Sequence, residues 1–369
     1  MDLSKAFDCL PHSLIIAKLN AYGLTEPACE LVASYLDGRM QRVKVADARS
    51  QWKILEKGVP QGSILGPLLF NIFLNDMFYF MDLCTLYNFV DDNSIANTAD
   101  SLENLITNLR NDSKISIDWF NANGMEANPS KFQFLVSARQ SPGRVEIKIT
   151  QDVHIISEPF VKVLGIYIDD RFNFNEHVQR SCSKAARQLN ALARISKYLN
   201  LRARKLIFNS FVISNFSYCP LVWHFCGKVN NAKIEKIQER ALKIVLHDFT
   251  SDYDALLKKF GTVTIHRYRM NQILIEVFKS FKNMNPTYVR NLVNLKSSRY
   301  DMRSPIILQQ PVKEGTTFGL RSYSYLASKL WNDLPLHMKK IDNIDLECFK
   351  RTLKDWDGPN GELISNFYL

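Results

Sequence analysis

The chain has 369 residues, 46% hydrophobic and 23% charged, with seven cysteines and a formal net charge of +10. That length admits two or three domains, and the balance excludes a disordered chain and a small disulfide-stapled scaffold. The charge is uneven: residues 1–170 hold 15 of the 47 Lys and Arg and 21 of the 37 Asp and Glu, leaving 32 and 16 to residues 171–369, so a half suited to gathering metal precedes one suited to a polyanion, or to solubility alone.

Two short helices are expected first, over 11–22 from Pro11 to near Gly23, and over 27–36 from Pro27 to near Gly38. Residues 40–46 and 51–57 read as a strand pair, with Val43 and Val45 alternating against polar neighbours. A tight turn at Gly58–Gly62 leads into an apolar helix at about 64–80. Asn71, Asn75 and Asp76 interrupt the apolar stretch from Ile64 to Cys84, which favours a buried helix over a membrane span. Residues 84–90 read as a strand, Asp91-Asp92 as its turn and 94–98 as the return strand. Leu102, Leu105, Leu109, Ile115 and Trp119 mark a helix over 101–122, and strand-like runs follow at 132–137, 145–149, 153–156 and 161–168. Near Asp170 the pattern changes to helices at 175–197, 201–216, 231–247 and 266–284. Residues 296–312 read as a loop or linker, and 319–354 as a final amphipathic part. The expected class is α+β in the first half and mainly helical in the second. The cysteines form no CxxC pair and suit reduced thiols; Cys219, His224 and Cys226 lack a fourth ligand for zinc and read as packing residues.

Three stretches carry chemistry. In Phe89-Val90-Asp91-Asp92 a hydrophobic strand runs into adjacent carboxylates, which repel one another unless a cation holds them; a solvated turn is the plainer alternative. Asp2-Leu3-Ser4-Lys5-Ala6-Phe7-Asp8 places a further carboxylate at a strand end, and two strands side by side would bring Asp2 to Asp91. Carboxylates converging there would hold two magnesium ions roughly 3.5–4 Å apart, as nucleotidyl transfer requires. Gly58-Val59-Pro60-Gln61-Gly62-Ser63-Ile64-Leu65-Gly66-Pro67 fixes an unusual turn whose glycines admit a ligand to the backbone.

In order and spacing these stretches resemble polymerase motifs A, B and C of reverse transcriptases, most closely those of non-LTR retrotransposons of the jockey-like LINE group. The likeness continues through Asn123-Gly124-Met125 and Asn128-Pro129-Ser130-Lys131 (motif D) and Val163-Leu164-Gly165-Ile166 (the primer-grip region). It extends to Tyr218–Trp223 and Leu330–Pro335. The resemblance implies a palm, an antiparallel sheet with packed helices, over 1–170. A helical thumb-like basic region over 171–250 and a mainly helical C-terminal region over 251–369 would follow. It implies an RNA-directed DNA polymerase acting on an RNA template, a DNA primer and dNTPs, with two Mg2+ ions or Mn2+ in their place. Asp2, Asp91 and Asp92 would be the metal ligands. Phe7 would crowd a ribose 2′-hydroxyl, Gln61 and Gly62 would line the nucleotide pocket, and Lys131 would protonate the leaving pyrophosphate or stand as a surface lysine. The family more often has Tyr-Ala where this chain has Phe89-Val90.

The chain opens directly ahead of Asp2, where the family has a supporting strand and a fingers region. The expectation is therefore a truncated chain that alone is a poor polymerase, or a catalytically inactive nucleic-acid-binding remnant. Basic stripes at Arg180, Lys184, Arg187 and Arg194, and at Lys233, Lys236, Arg240 and Lys243, oppose apolar faces. They suit primer–template phosphates or a simple wet face. With no signal peptide at the start, a location in the nucleus and cytoplasm, away from membranes, is expected.

Overall fold

A computed structural model describes residues 1, 3–138, 140, 142–296, 307–311, 322–339, 341 and 344–356, and the statements below concern these residues. The chain divides into two compact units, Met1–Pro159 and Phe160–Leu369. Helices and small antiparallel sheets are mixed in the first, and helices dominate the second. The break precedes the change of sequence pattern near Asp170 because the hairpin over 160–169 buries Ile166 in the core of the second unit.

The first unit opens with a two-residue strand, β1 (Leu3–Ser4), and helices α1 (His12–Ala21) and α2 (Glu26–Leu36). A ribbon follows, built of β2 (Met40–Gln41), β3 (Lys44–Val45), β4 (Ala48–Arg49) and β5 (Lys53–Ile54). The expected strand pair is present, but its second arm begins at Ala48, because the chain reverses at Ala46 with φ 49°. Next come α3 (Leu65–Leu74), the hairpin β6 (Thr85–Phe89) and β7 (Asp92–Ala96), and α4 (Leu102–Ala122). Ser101 caps α4, its hydroxyl accepting from the Asn104 N–H at 3.2 Å, a bond that satisfies one orphan donor of the first turn. Strands β8 (Glu126–Ala127), β9 (Glu146–Lys148) and β10 (His154–Ile156) complete the unit. Residues 132–137 are not a strand, although Phe132 and Val136 are buried.

One core gathers Leu3, Leu10, Ile15, Val59, Phe70, Phe73, Leu86, Phe120 and Met125. Lys18 enters its edge from α1. The ammonium lies 4.3 Å from the Phe73 ring and 4.5 Å from the Trp119 ring, and pairs with Asp76 at 2.8 Å. Desolvation lowers its pKa and the Asp76 bond partly restores it.

In the second unit β11 (Phe160–Val163) and β12 (Ile166–Asp169) form a hairpin where a single strand-like run was expected. Leu164 (φ 46°) and Gly165 (φ 87°) supply the two positive φ values of a two-residue turn. The helices are α5 (Asn175–Ile195), α6 (Leu201–Ile207), α7 (Ser214–Ser217), α8 (Pro220–Trp223), α9 (Gly227–Leu246), α10 (Tyr253–Phe260) and α11 (Ile265–Phe281). The helix expected over 201–216 widens over Phe208–Ile213 into a π-helical stretch. Val178, Ala185, Leu189 and Leu192 face Ile234, Ala241 and Ile244 in one core. A second core joins α11 to helices Tyr323–Asp333 and Leu346–Asp355 through Phe278, Leu330, Trp331 and Phe349. The expected linker and final stretch lie partly outside the described residues. His224 and Cys226 are buried as packing side chains, and Cys219 is half-buried. Arg269, fully buried, donates to Asn231 Oδ1 and lies 4.5 Å from the Trp223 ring.

Candidate active site

The β6–β7 hairpin carries the adjacent carboxylates Asp91 and Asp92. Strand alternation sends Leu86 inward and leaves Tyr87 and Phe89 exposed. The pairing Phe89↔Asp92 makes Val90-Asp91 the two-residue turn, so the turn lies one position earlier than expected and Asp92 opens the return strand. Val90 has φ 58°, an outlier for a β-branched residue. Such strain costs about 1–3 kcal/mol, and it is offset here by packing of Val90 against the core. Buried Asn93 fixes the tip: its Nδ2 donates to the Asp91 carbonyl at 2.9 Å and its Oδ1 accepts from Asn88 at 2.7 Å. Asp91 is half-buried and Asp92 exposed.

The chain start runs against this hairpin. The Asn93 N–H donates to the Met1 carbonyl at 3.3 Å, and the Met1 amino group donates to the Asn93 carbonyl. Leu3 and Ser4 pair with Ala127 and Glu126 of β8. Asp2 itself lies outside the described residues. Lys5 (φ 50°) starts a 3₁₀ turn over Ala6–Asp8. Phe7, half-buried, stacks on Phe70 with centroids 4.4 Å apart.

The Gly- and Pro-rich stretch is stitched to that turn. Val59 N–H donates to the Phe7 carbonyl at 2.9 Å, Gly58 N–H to the Leu10 carbonyl at 2.8 Å, and Gln61 Nε2 to Asp8 Oδ1 at 2.9 Å. Gly58 has φ +89°, and a Cβ there would stand 2.8 Å from the Asp8 Cα, so the position demands glycine. Gly62 (φ +80°) is exposed beside Gln61. Lys131 ends a 3₁₀ turn over Pro129–Lys131, just beyond the β8 strand that pairs with β1, and its side chain is exposed.

Sequence reasoning missed Asp112. This buried carboxylate on α4 accepts from the Leu83 N–H at 3.1 Å and the Cys84 N–H at 2.7 Å, gripping the chain where it enters β6. Burial, and after it the negative charge of Asp112, push the Cys84 thiol up to about 12. Asn97, beyond β7, donates to the Leu83 carbonyl and closes the base of the hairpin. The available signal was an acid in the apolar stripe Leu105, Leu109, Asp112, Ser116 and Trp119.

Residues 1–198 match the family described as reverse transcriptase (RNA-dependent DNA polymerase). The chain belongs to the reverse transcriptase family. Its relatives include the probable RNA-directed DNA polymerase from transposon BS of Drosophila melanogaster, 26% identical over 256 residues, covering 66% of this chain and 28% of that protein. The RNA-directed DNA polymerase from mobile element jockey of Drosophila funebris is 24% identical over 264 residues, covering 66% and 27%. A type-1 retrotransposable element R2 polyprotein of Popillia japonica is 29% identical over 77 residues, covering 21% and 13%. The chain thus spans under a third of these relatives, and the reading of a retrotransposon reverse transcriptase agrees with their names.

Reverse transcriptases use divalent metal ions. Asp91 and Asp92 offer the hard oxygen donors such ions take, and among the described residues no protein cation is paired with either carboxylate. No set of three ligand side chains converges among the described residues; the third expected ligand, Asp2, falls outside them.

The basic stripes belong to the second unit. Lys184, Arg187 and Arg194 are exposed on α5, and Lys233, Lys236 and Arg240 on α9. Arg240 donates to Asn190 of α5 at 2.7 Å, so the two stripes lie on helices that touch. Arg180 and Lys243 are already engaged: Arg180 pairs with Glu176 and covers the Tyr167 ring at 4.5 Å, and Lys243 pairs with Glu239 at 2.7 Å. No helix among the described residues is long and apolar enough to cross a membrane.

Proposed function

We propose that this chain is the polymerase core of a non-LTR retrotransposon reverse transcriptase and extends a DNA primer on an RNA template by nucleotidyl transfer from dNTPs. One observation carries the reading. The segments holding Leu3–Leu10, Val59–Leu74, Leu86–Ile95 and Met125–Ala127 share a single hydrophobic core, with a double carboxylate at its strained hairpin tip. The first unit then corresponds to the palm, and the helices from Asn175 onward to a thumb-like region.

Asp2, Asp91 and Asp92 would hold two Mg2+ ions, or Mn2+. Bound there, the ions supply charge neutralisation at phosphorus and a lowered pKa for the primer 3′-hydroxyl. The chain's own residues do the rest. Phe7, held by its stack on Phe70, excludes a ribose 2′-hydroxyl. Gln61 and Gly62 border the incoming nucleotide, Lys131 gives a proton to the departing pyrophosphate, and the α5 and α9 cations hold phosphates of the primer–template. Nucleus and cytoplasm are the proposed compartments.

Primer extension on a primed RNA with dNTPs and Mg2+ tests this. The chain is expected to incorporate dNTPs slowly, as a poor polymerase on its own, and Asp91→Ala to lower that rate on the order of a thousandfold while leaving the fold intact. No incorporation by the parent, or incorporation undiminished in Asp91→Ala, would overturn it.

A further inference from the structure

The ribbon over 40–54 belongs to none of the machinery above. Every side chain from Met40 to Ile54 is exposed. A two-stranded ribbon without a covering layer is marginal in water, and this one is rich in exposed cations and apolar side chains. Six cations lie between Arg39 and Lys57 against two carboxylates, Asp47 and Glu56. Interleaved with them are exposed Met40, Val43, Val45, Trp52 and Ile54.

Register sorts these side chains by face. Met40 pairs with Ile54 and Gln41 with Lys53, whereas Lys44 pairs with Arg49 and Val45 with Ala48. The offset shifts by one residue between the two pairs of strands, so the second arm carries an extra residue, a bulge, near Gln51. Alternation on either side of it puts Met40, Arg42, Lys44, Arg49, Trp52 and Ile54 on one face. The Arg42 guanidinium, 4.4 Å from the Trp52 ring, agrees with that assignment. Trp52 is still 53% exposed. Solvation explains cations on a ribbon edge, but not an open indole flanked by three of them.

We propose that this face binds single-stranded nucleic acid, with an unpaired base stacked on Trp52 and phosphates on Arg42, Lys44 and Arg49. Residues two apart on a strand stand about 7 Å apart, a spacing that lets neighbouring cations reach successive phosphates. Stacking on an aromatic platform beside a basic track is a sequence-tolerant way to hold a single strand. The charge excess favours this partner over a protein.

The test is fluorescence anisotropy of the full chain with a labelled 12-nucleotide oligo(U), the matching oligo(dT), and a blunt duplex RNA. Trp52→Ala is expected to weaken both single strands roughly tenfold and the duplex by less than twofold, while Trp52→Phe keeps most of the affinity. The combined Arg42→Ala, Lys44→Ala, Arg49→Ala variant should flatten the salt dependence of single-strand binding by about two in log–log slope. The thermal midpoint of each should match the parent, because these side chains face solvent. Loss on oligo(U) alone would assign the site to RNA, and equal loss on oligo(dT) to either strand; both support the proposal. Single-strand affinity of Trp52→Ala within twofold of the parent would overturn it. So would equal losses on duplex and single strands, or self-association of the chain that Trp52→Ala abolishes without any oligonucleotide binding. Asp91→Ala keeps the single-strand affinity whatever it does to incorporation, so failure here and failure of the polymerase reading are separate results.

Discussion

Gly58 is the residue on which the two loops of the site depend most directly. Its φ of +89° is unfavourable for any side chain, and the Asp8 backbone fills the space a Cβ would need. Gly58→Ala should cost about 1–3 kcal/mol from the backbone alone, and the clash adds to it. Relief of that clash would move the Ala6–Asp8 turn and Phe7 with it. Urea denaturation of the variant should show the loss, together with a fall in dNTP incorporation larger than the stability change explains. Unchanged stability would mean that the close approach to Asp8 is absent. The sequence made Gly58 legible as part of a turn, because glycine and proline are local signals. It could not show why glycine is required, since the obstructing atoms come from the segment around Asp8. Val90 is the converse case. A β-branched residue reads as strand, and only the pairing Phe89↔Asp92 forces it into the turn.

At the scale of elements, the hairpin bearing Asp91 and Asp92 is held at its base by a residue of α4. Replacing Asp112 with Ala leaves the Leu83 and Cys84 N–H groups unpaired at the strand entry. The loss should be about 2–3 kcal/mol, with Asp112→Asn milder because one carbonyl acceptor remains. Hydrogen exchange should locate the loosening in residues 83–97. Protection there equal to the parent's would refute the clamp. Helices were the most legible elements: 11–22, 27–36, 101–122, 175–197 and 266–284 recur within a few residues, because caps and apolar spacing are encoded locally. Strands were less so. Phe132 and Val136 alternate like strand residues yet are buried without a ladder, and the run over 161–168 concealed a turn at Leu164-Gly165. Asp112 escaped notice because a lone acid on an amphipathic helix ordinarily faces water.

At the scale of the whole molecule, the two units bury separate sets of apolar residues. In the second, His177 is buried beside Trp223, its ring 5.4 Å from the indole, and desolvation pushes its pKa down to about 4. His224 is pushed down by burial as well, with Arg269 adding to the effect. A histidine whose folded pKa lies below its unfolded value near 6.5 contributes fully above that pH. Its contribution falls as pH drops toward the folded value, because the unfolded chain takes the proton first. Between pH 7 and pH 4.5 the second unit should lose on the order of 2–3 kcal/mol through His177, and His177→Phe should flatten that part of the profile. Denaturant titrations across this range check it, and a flat parent profile would contradict it.

Metal stoichiometry tests the account most directly. Mn2+ binding to the full chain with primed RNA and a non-hydrolysable dNTP analogue can be counted by electron paramagnetic resonance. Two bound ions are expected in the parent, with at least one lost from both Asp91→Ala and Asp2→Ala, since the two segments are held to share the ions. Stoichiometry and affinity unchanged in both variants would show that these aspartates do not form a metal centre, and the polymerase reading would fall with them.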